Sequence, residues 1–110
     1  MPYIAHYPAS APDRATVDAA AEPLLLEFGV NWCPHCQNAQ PAIEQALAAY
    51  PALRHIKVED GPGRRLGRSF RVKLWPSLIL LQHGVELGRV VRPLAEAEVA
   101  DLLALLPPAP

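Results

Sequence analysis

A chain of 110 residues is the size of one domain, since domains run from about 50 to 250 residues; residues 1–110 are read as a single unit ending in a Pro-rich tail, 107–110. Hydrophobic residues make up 51% and charged ones 19%, which allows a buried core and excludes the disordered class. Ten Lys plus Arg against eleven Asp plus Glu, a net charge of -1, leave no strongly basic face for nucleic acid or an anionic membrane, and no apolar run approaches the roughly 20 residues that span a bilayer.

The first residues, Met1 to Tyr7, carry neither the basic start nor the apolar run of a secretory signal, which predicts a cytoplasmic protein unless a signal has been removed. Tyr3–Tyr7 is an aromatic-containing run suited to an edge strand, and Asp13–Ala21 is rich in helix-forming alanine. Leu24–Val30 follows Pro23 as an almost continuous apolar run, the pattern of a strand buried on both faces.

From Pro34 to Tyr50, Ile43, Ala46, Leu47 and Tyr50 fall at i, i+3, i+4 and i+7, one face of a long helix. Pro34 suits its first turn, and Pro41 should kink it. Leu53–Glu59 reads as a strand with Ile56 and Val58 on one face, and Arg64–Phe70 as a short helix. Ser77–Gln82 and Glu86–Arg92 flank His83-Gly84, a hairpin turn signal. Ala95–Leu106 closes the chain as a helix with Val99, Leu102, Leu103 and Leu106 on one face. The order βαβαβαββα predicts an α/β fold, a mixed central sheet with helices on both faces.

The two cysteines, Cys33 and Cys36, are spaced CxxC just after the predicted central strand. This puts Cys33 at the N-terminal end of the long helix, where unpaired N–H groups and the helix dipole favour a thiolate. Cys33 is therefore the expected nucleophile, with Pro34 in the first turn. Cys36, one turn further in, can attack a mixed disulfide formed on Cys33 and is the expected resolving thiol. An imidazolium at His35 would favour the Cys33 thiolate and make the disulfide more oxidising. A zinc site would need further ligands at motif spacing, haem attachment would need His where Gln37 stands, and a structural disulfide would close a loop too small to gain much entropy. Redox chemistry is the reading the CxxC spacing supports. Glu27 on the buried strand is expected to have a raised pKa and to carry protons for Cys36, unless it is paired with a lysine such as Lys57.

From about Leu24 to Leu106 the chain resembles the thioredoxin family. Trp32-Cys33-Pro34-His35-Cys36 occupies the family's active-site turn, Pro41 matches the proline that kinks its active-site helix, and Trp75-Pro76-Ser77 with the following hairpin matches its cis-proline loop. Glu27, six residues before Cys33, sits where the family has a buried acid. The resemblance implies that Pro76 is a cis-proline facing the cysteines, that the Trp75 backbone pairs with an extended substrate segment, and that Trp32 and Arg92 also belong to the substrate-binding surface. Pro34-His35 is the dipeptide typical of DsbA-type oxidases, but the chain is too short for their helical insertion. Trp75 replaces a small or β-branched residue, and Arg92 stands where a groove-lining glycine is common.

These features predict a monomeric thiol-disulfide oxidoreductase that works without a cofactor. Its implied partners are protein disulfides and an upstream thiol reductant, and a protein-disulfide reductase is the leading form. An oxidase or isomerase of an oxidising compartment, or a non-catalytic adaptor using the same groove, are the alternatives.

Overall fold

The computed structural model describes residues 3–107, so Pro108 and Pro110 of the expected tail lie outside the described residues. Helix α1 spans Arg14–Asp18, β1 Leu24–Gly29, α2 Pro34–Leu47, β2 Arg54–Glu59, α3 Arg65–Ser69, β3 Ser77–Gln82, β4 Val85–Val91 and α4 Glu96–Leu103. The sheet order is β2-β1-β3-β4, with β1 parallel to β2 and antiparallel to β3. This is a mixed sheet, and β1 lies inside it. Every residue of β1 is buried, as its unbroken apolar run requires.

Local chemistry sets the element ends. Asp13 caps α1 by accepting the Thr16 N–H at 2.8 Å, and Glu98 starts α4 by accepting the Ala95 and Leu94 N–H groups, each at 3.1 Å, which satisfies donors that a helix start leaves free. Pro34 occupies the first turn of α2 and Pro41 lies inside it. Helix α2 stops at Leu47, short of the expected Tyr50, because Pro51 disfavours helical backbone at the residue before it; Tyr50 N–H turns back to the Leu47 carbonyl at 2.9 Å. Helix α4 likewise ends at Leu103 and tightens, with Leu106 N–H reaching the Leu103 carbonyl at 3.1 Å. His83 and Gly84, with φ of 51° and 76°, make the predicted hairpin turn with the left-handed backbone that two-residue hairpins favour.

The two sheet faces have separate cores. Leu25, Leu78 and Leu80 pack with Ile43 and Leu47 of α2 and Val99 and Leu103 of α4. Leu24, Leu26, Phe28, Val58, Ile79 and Leu81 pack with Val17 of α1, Leu66 of α3 and Phe70. Truncating a fully buried Leu in such a layer costs about 2–5 kcal/mol, so both helical layers hold the sheet that carries the site.

One expected element is absent. Tyr3–Tyr7 is not a strand, and the sequence order becomes αβαβαββα. Side chains take the segment's backbone groups instead of a ladder. Ile4 N–H donates to His55 Nδ1 at 2.9 Å, Lys57 Nζ donates to the Ala5 carbonyl at 2.8 Å, and Asn31 binds Tyr7 through both of its backbone groups, at 2.8 and 3.1 Å. The segment is tied down alongside β2, from His55 and Lys57 to Asn31 in the turn that leads to the cysteines.

Candidate active site

Strand β1 ends at Gly29, and the chain turns through Val30, Asn31 and Trp32 into α2. Cys33 is the helix N-cap, with extended backbone, φ -82° and ψ 123°. Its N–H donates to the Val30 carbonyl at 3.3 Å, and its own carbonyl accepts the Gln37 N–H at 3.0 Å. Gln37 also holds the turn from outside by donating to the Asn31 carbonyl at 2.9 Å. Both cysteines are free thiols. Cys33 is covered more than its place at a helix end suggested, retaining 6% exposure, but Cys36 retains only 1%. The Cys36 sulfur is packed among Cys33, Val30 and Tyr7, with the Tyr7 hydroxyl beside it. Burial, together with the neighbouring Cys33, pushes the Cys36 thiol up to about 11, so Cys36 rests protonated at neutral pH.

Beneath the cysteines is a buried polar cluster centred on Glu27. Glu27 Oε1 faces His55 Nε2 at 2.9 Å, and its Oε2 accepts from Gln40 Nε2 at 2.9 Å and from the Tyr7 hydroxyl. Because His55 Nδ1 already accepts the Ile4 N–H, the imidazole proton sits on Nε2 and His55 donates to Glu27. Lys57 Nζ lies 3.8 Å from Glu27 Oε2 and donates to Gln40 Oε1 at 2.6 Å. Strand register explains the gathering: Glu27 is level with Lys57, and Leu25 with His55, so alternate residues of β2 point toward the same face as the acid. Among the described residues, every buried side-chain nitrogen and oxygen has a partner.

The expected rise in the Glu27 pKa is reversed by this environment. Burial alone drives its carboxyl up, but the His55 hydrogen bond, the Lys57 charge and the Tyr7 hydrogen bond outweigh it, and the net direction is down. Glu27 therefore rests as a carboxylate paired with Lys57, whose own pKa is pulled down by burial while the Glu27 charge opposes the fall. Nor does the acid reach Cys36 by itself. Tyr7 stands between them, its phenol held well above the usual range by burial and by the Glu27 charge. Gly29 makes room for this contact, since a Cβ there would sit 2.6 Å from Cys36 Sγ and 2.7 Å from the Tyr7 hydroxyl oxygen.

Around Cys33 the surface is aromatic. The Trp75–Pro76 bond is cis, and Trp75 packs against the cluster of Tyr7, Val30, Cys33 and Cys36. Trp32, 72% exposed, meets Trp75 edge-on with ring centroids 6.0 Å apart. Trp75 is fixed by its indole N–H, which donates to Asp60 Oδ2 at 2.8 Å. Arg92 is half-buried rather than free in solvent, and has φ of 54°. Its Nε donates to the Trp75 carbonyl at 2.8 Å, and its N–H to the Pro76 carbonyl at 2.9 Å, which explains how an arginine is held in backbone that favours glycine.

Cys33, Cys36, Trp32, Trp75, Pro76 and Arg92 thus come together at one end of the sheet, with Glu27 joined to them through Tyr7. Pro34 and His35 project from the first turn of α2 and are exposed; among the described residues the His35 side chain makes no hydrogen bond. Sequence reasoning missed Tyr7, His55, Gln40 and Asn31. A usable signal for His55 was its i, i+2 spacing with Lys57 on a strand predicted to lie beside Glu27.

The profile of the thioredoxin family matches residues 10–104. The solved structure of thioredoxin 2 from Pseudomonas aeruginosa PAO1 in its reduced form is 50% identical, with a TM-score of 0.82 over 92% of this chain and 94% of that one. A thioredoxin from Chlamydia trachomatis is 31% identical over 68 residues, covering 62% of this chain and 67% of that protein. Thioredoxin H2-1 of Oryza sativa is 25% identical over 68 residues, 62% of this chain. The chain spans about half the length of such relatives, 49% of the rice protein and 54% of the mitochondrial thioredoxin-3 of Saccharomyces cerevisiae. A family profile that runs through nearly the whole fold, over the cysteine pair and the cis-proline loop, establishes that this chain belongs to the thioredoxin family.

Proposed function

We propose that this protein is a thiol-disulfide oxidoreductase of the protein-disulfide reductase type, cycling between a Cys33/Cys36 dithiol and disulfide without a cofactor. The observation that carries the reading is the asymmetry of the two thiols: one caps a helix beside an aromatic, solvent-facing surface, and the other is buried one turn below it on a polar relay. In the first step the Cys33 thiolate attacks a substrate disulfide, forming a mixed disulfide and releasing one substrate thiolate, which takes a proton from solvent. In the second, the Cys36 sulfur attacks the Cys33 sulfur, the Cys33–Cys36 bond forms, and the second substrate thiolate leaves. The substrate gains two electrons and the dithiol loses them. An upstream thiol reductant restores the dithiol by the reverse exchange.

Cys36 must lose its proton in the second step. The Cys36 proton passes to the Tyr7 oxygen while the Tyr7 proton passes to Glu27 Oε2, leaving neutral tyrosine, a carboxylic acid and a sulfur free to bond. With Glu27 resting ionised and Cys36 resting protonated, the transfer accompanies S–S bond formation instead of preceding it. Trp32, Trp75 and Pro76 form the surface that receives the substrate chain, and Arg92 occupies the Trp75 carbonyl until substrate arrives. A monomer in the cytoplasm is the setting that suits net reduction, since a reducing pool keeps the pair as dithiol.

The test is turnover of a protein disulfide with a dithiol reductant by wild type, Cys33→Ser and Cys36→Ser. Cys33→Ser should lose the activity completely. Retained function of the Cys33→Ser variant in binding a partner, with no turnover by wild type, would instead establish a non-catalytic adaptor.

A further inference from the structure

The chain as a whole is nearly neutral, at -1, but its charge is not evenly spread. A cleft beside Trp75 is lined by Arg64, Arg68, Arg71 and Lys73, with Asp60 as the acid among its lining residues. Arg64 is paired with Glu59 at 3.0 Å, and Asp60, fixed by the Trp75 indole N–H at 2.8 Å, keeps its negative charge, so the three remaining cations outnumber the one acid in the cleft. Arg68, Arg71 and Lys73 are exposed and form no ion pair among the described residues. Trp75 belongs both to this cleft and to the cluster around Cys33 and Cys36, so the free cations adjoin the reacting sulfur's surface.

Backbone conformation is a second, separate observation. Helix α3 ends with the N–H groups of Arg71 and Val72 returning to the Arg68 and Gly67 carbonyls, each at 3.0 Å, and Arg71 has φ of 58°. That is the left-handed helix-end position at which glycine or asparagine is usual. Arg92, on the other side of the Trp75–Pro76 loop, is also an arginine at positive φ. Two arginines therefore occupy costly backbone positions flanking the same tryptophan. An outlier kept at a cost is grounds for a functional hypothesis.

We infer that the cleft formed by Arg68, Arg71 and Lys73 beside Trp75 is a docking site for an acidic segment of the protein substrate, adjoining the disulfide that Cys33 attacks. The inference rests on the oxidoreductase reading and adds the class of substrate to it. Three uncommitted cations and an indole wall match carboxylate side chains carried on a polypeptide. Attraction at such a rim acts mainly by steering the encounter, so it raises the association rate and weakens with salt. Arginine also offers planar, two-pronged pairing to carboxylates.

The experiment measures second-order rate constants of the reduced protein with three disulfide peptides of one sequence, differing only in whether the flank carries glutamates, glutamines or lysines. The expected order is glutamate, then glutamine, then lysine. The glutamate-to-lysine ratio should be on the order of tenfold or more at low ionic strength and shrink toward one near 0.5 M salt, where unscreened attraction reaches only a few ångströms. The triple variant Arg68→Gln/Arg71→Asn/Lys73→Gln, with asparagine chosen to tolerate the left-handed position, should bring the three rates together. Equal rates for the three peptides with wild type would overturn the docking site while leaving the oxidoreductase reading intact. So would a glutamate preference that survives in the folded triple variant or persists in high salt. Absence of reaction with the glutamine peptide would overturn the oxidoreductase reading, and the docking site with it.

Discussion

Tyr7 donates its hydroxyl hydrogen bond to Glu27, across 20 residues of sequence, in the buried space directly beneath Cys36. In the proposed cycle this contact makes an acid that would otherwise sit apart from the resolving thiol the end of a two-step proton path. Tyr7→Phe keeps the ring and removes the path. General acid–base groups contribute about 10²–10⁴-fold, so resolution of the mixed disulfide should slow by about a hundredfold, while attack by Cys33 is affected far less. Stopped-flow separation of the two steps checks this. Resolution at the wild-type rate would leave Tyr7 as packing.

Gly29 is a steric requirement of the same site. In Gly29→Ala the new methyl would press on Cys36 Sγ, at 2.6 Å, and on the Tyr7 hydroxyl, at 2.7 Å. Overpacking of this kind costs about 1–3 kcal/mol, and the strain falls on the proton path itself. Denaturant melts should show the loss in stability, and resolution should slow in parallel with Tyr7→Phe. A variant with both properties unchanged would contradict the placement of these three groups.

The buried ion pair makes a sharper stability prediction. Glu27→Gln leaves Lys57 buried without its counter-charge, and removing one partner of such a pair costs about 3–5 kcal/mol. Glu27→Gln/Lys57→Met removes both charges and should recover most of that loss. The sign of the pH dependence follows from the lowered Glu27 pKa: its contribution is full above the usual carboxylate range and is lost as acid titrates through the folded value. Urea melts of the three proteins from pH 7 to pH 3 should show the wild type losing more stability than the double variant.

The Cys36 thiol gives the opposite dependence. Its folded pKa, about 11, lies above that of an unfolded thiol, so the folded state holds this proton more tightly. The resulting stability is complete below the ordinary thiol range and is lost as pH rises toward 11. The reduced protein should therefore weaken between about pH 9 and 11. A Cys33→Ser/Cys36→Ser variant should lack this component. Iodoacetamide near neutral pH should label Cys33 well before Cys36. Equal labelling would remove the assignment of nucleophile and resolving thiol.

Much of this was legible in the sequence, where the physics is local or periodic. The apolar run of β1, the heptad-like spacing of α2 and α4 and the His83-Gly84 turn each follow from one rule applied to neighbouring residues. The cysteine pair was legible because its position just after the buried strand, with Pro34 following Cys33, places it on a helix N-terminus. The Tyr3–Tyr7 strand failed because its backbone partners are the side chains of Asn31, His55 and Lys57, tens of residues away. The raised pKa of Glu27 failed for the same reason: burial and the alternative pairing with Lys57 were readable from the strands, and that pairing is the one found, but Tyr7, Gln40 and His55, which also hold the carboxylate, come from distant segments. His35, read as a neighbour of the Cys33 sulfur, is exposed in the first turn of α2.

In the proposed cycle Cys33 attacks and Cys36 resolves. The most direct measurement is mass spectrometry of Cys36→Ser after exposure to a disulfide-bonded protein substrate. With the resolving sulfur gone, the first intermediate cannot collapse, and a stable adduct joined through a Cys33 disulfide, released by dithiothreitol, should accumulate. The same experiment with Cys33→Ser should give no adduct. An adduct through Cys36 in the Cys33→Ser variant, or none in either, would contradict the account.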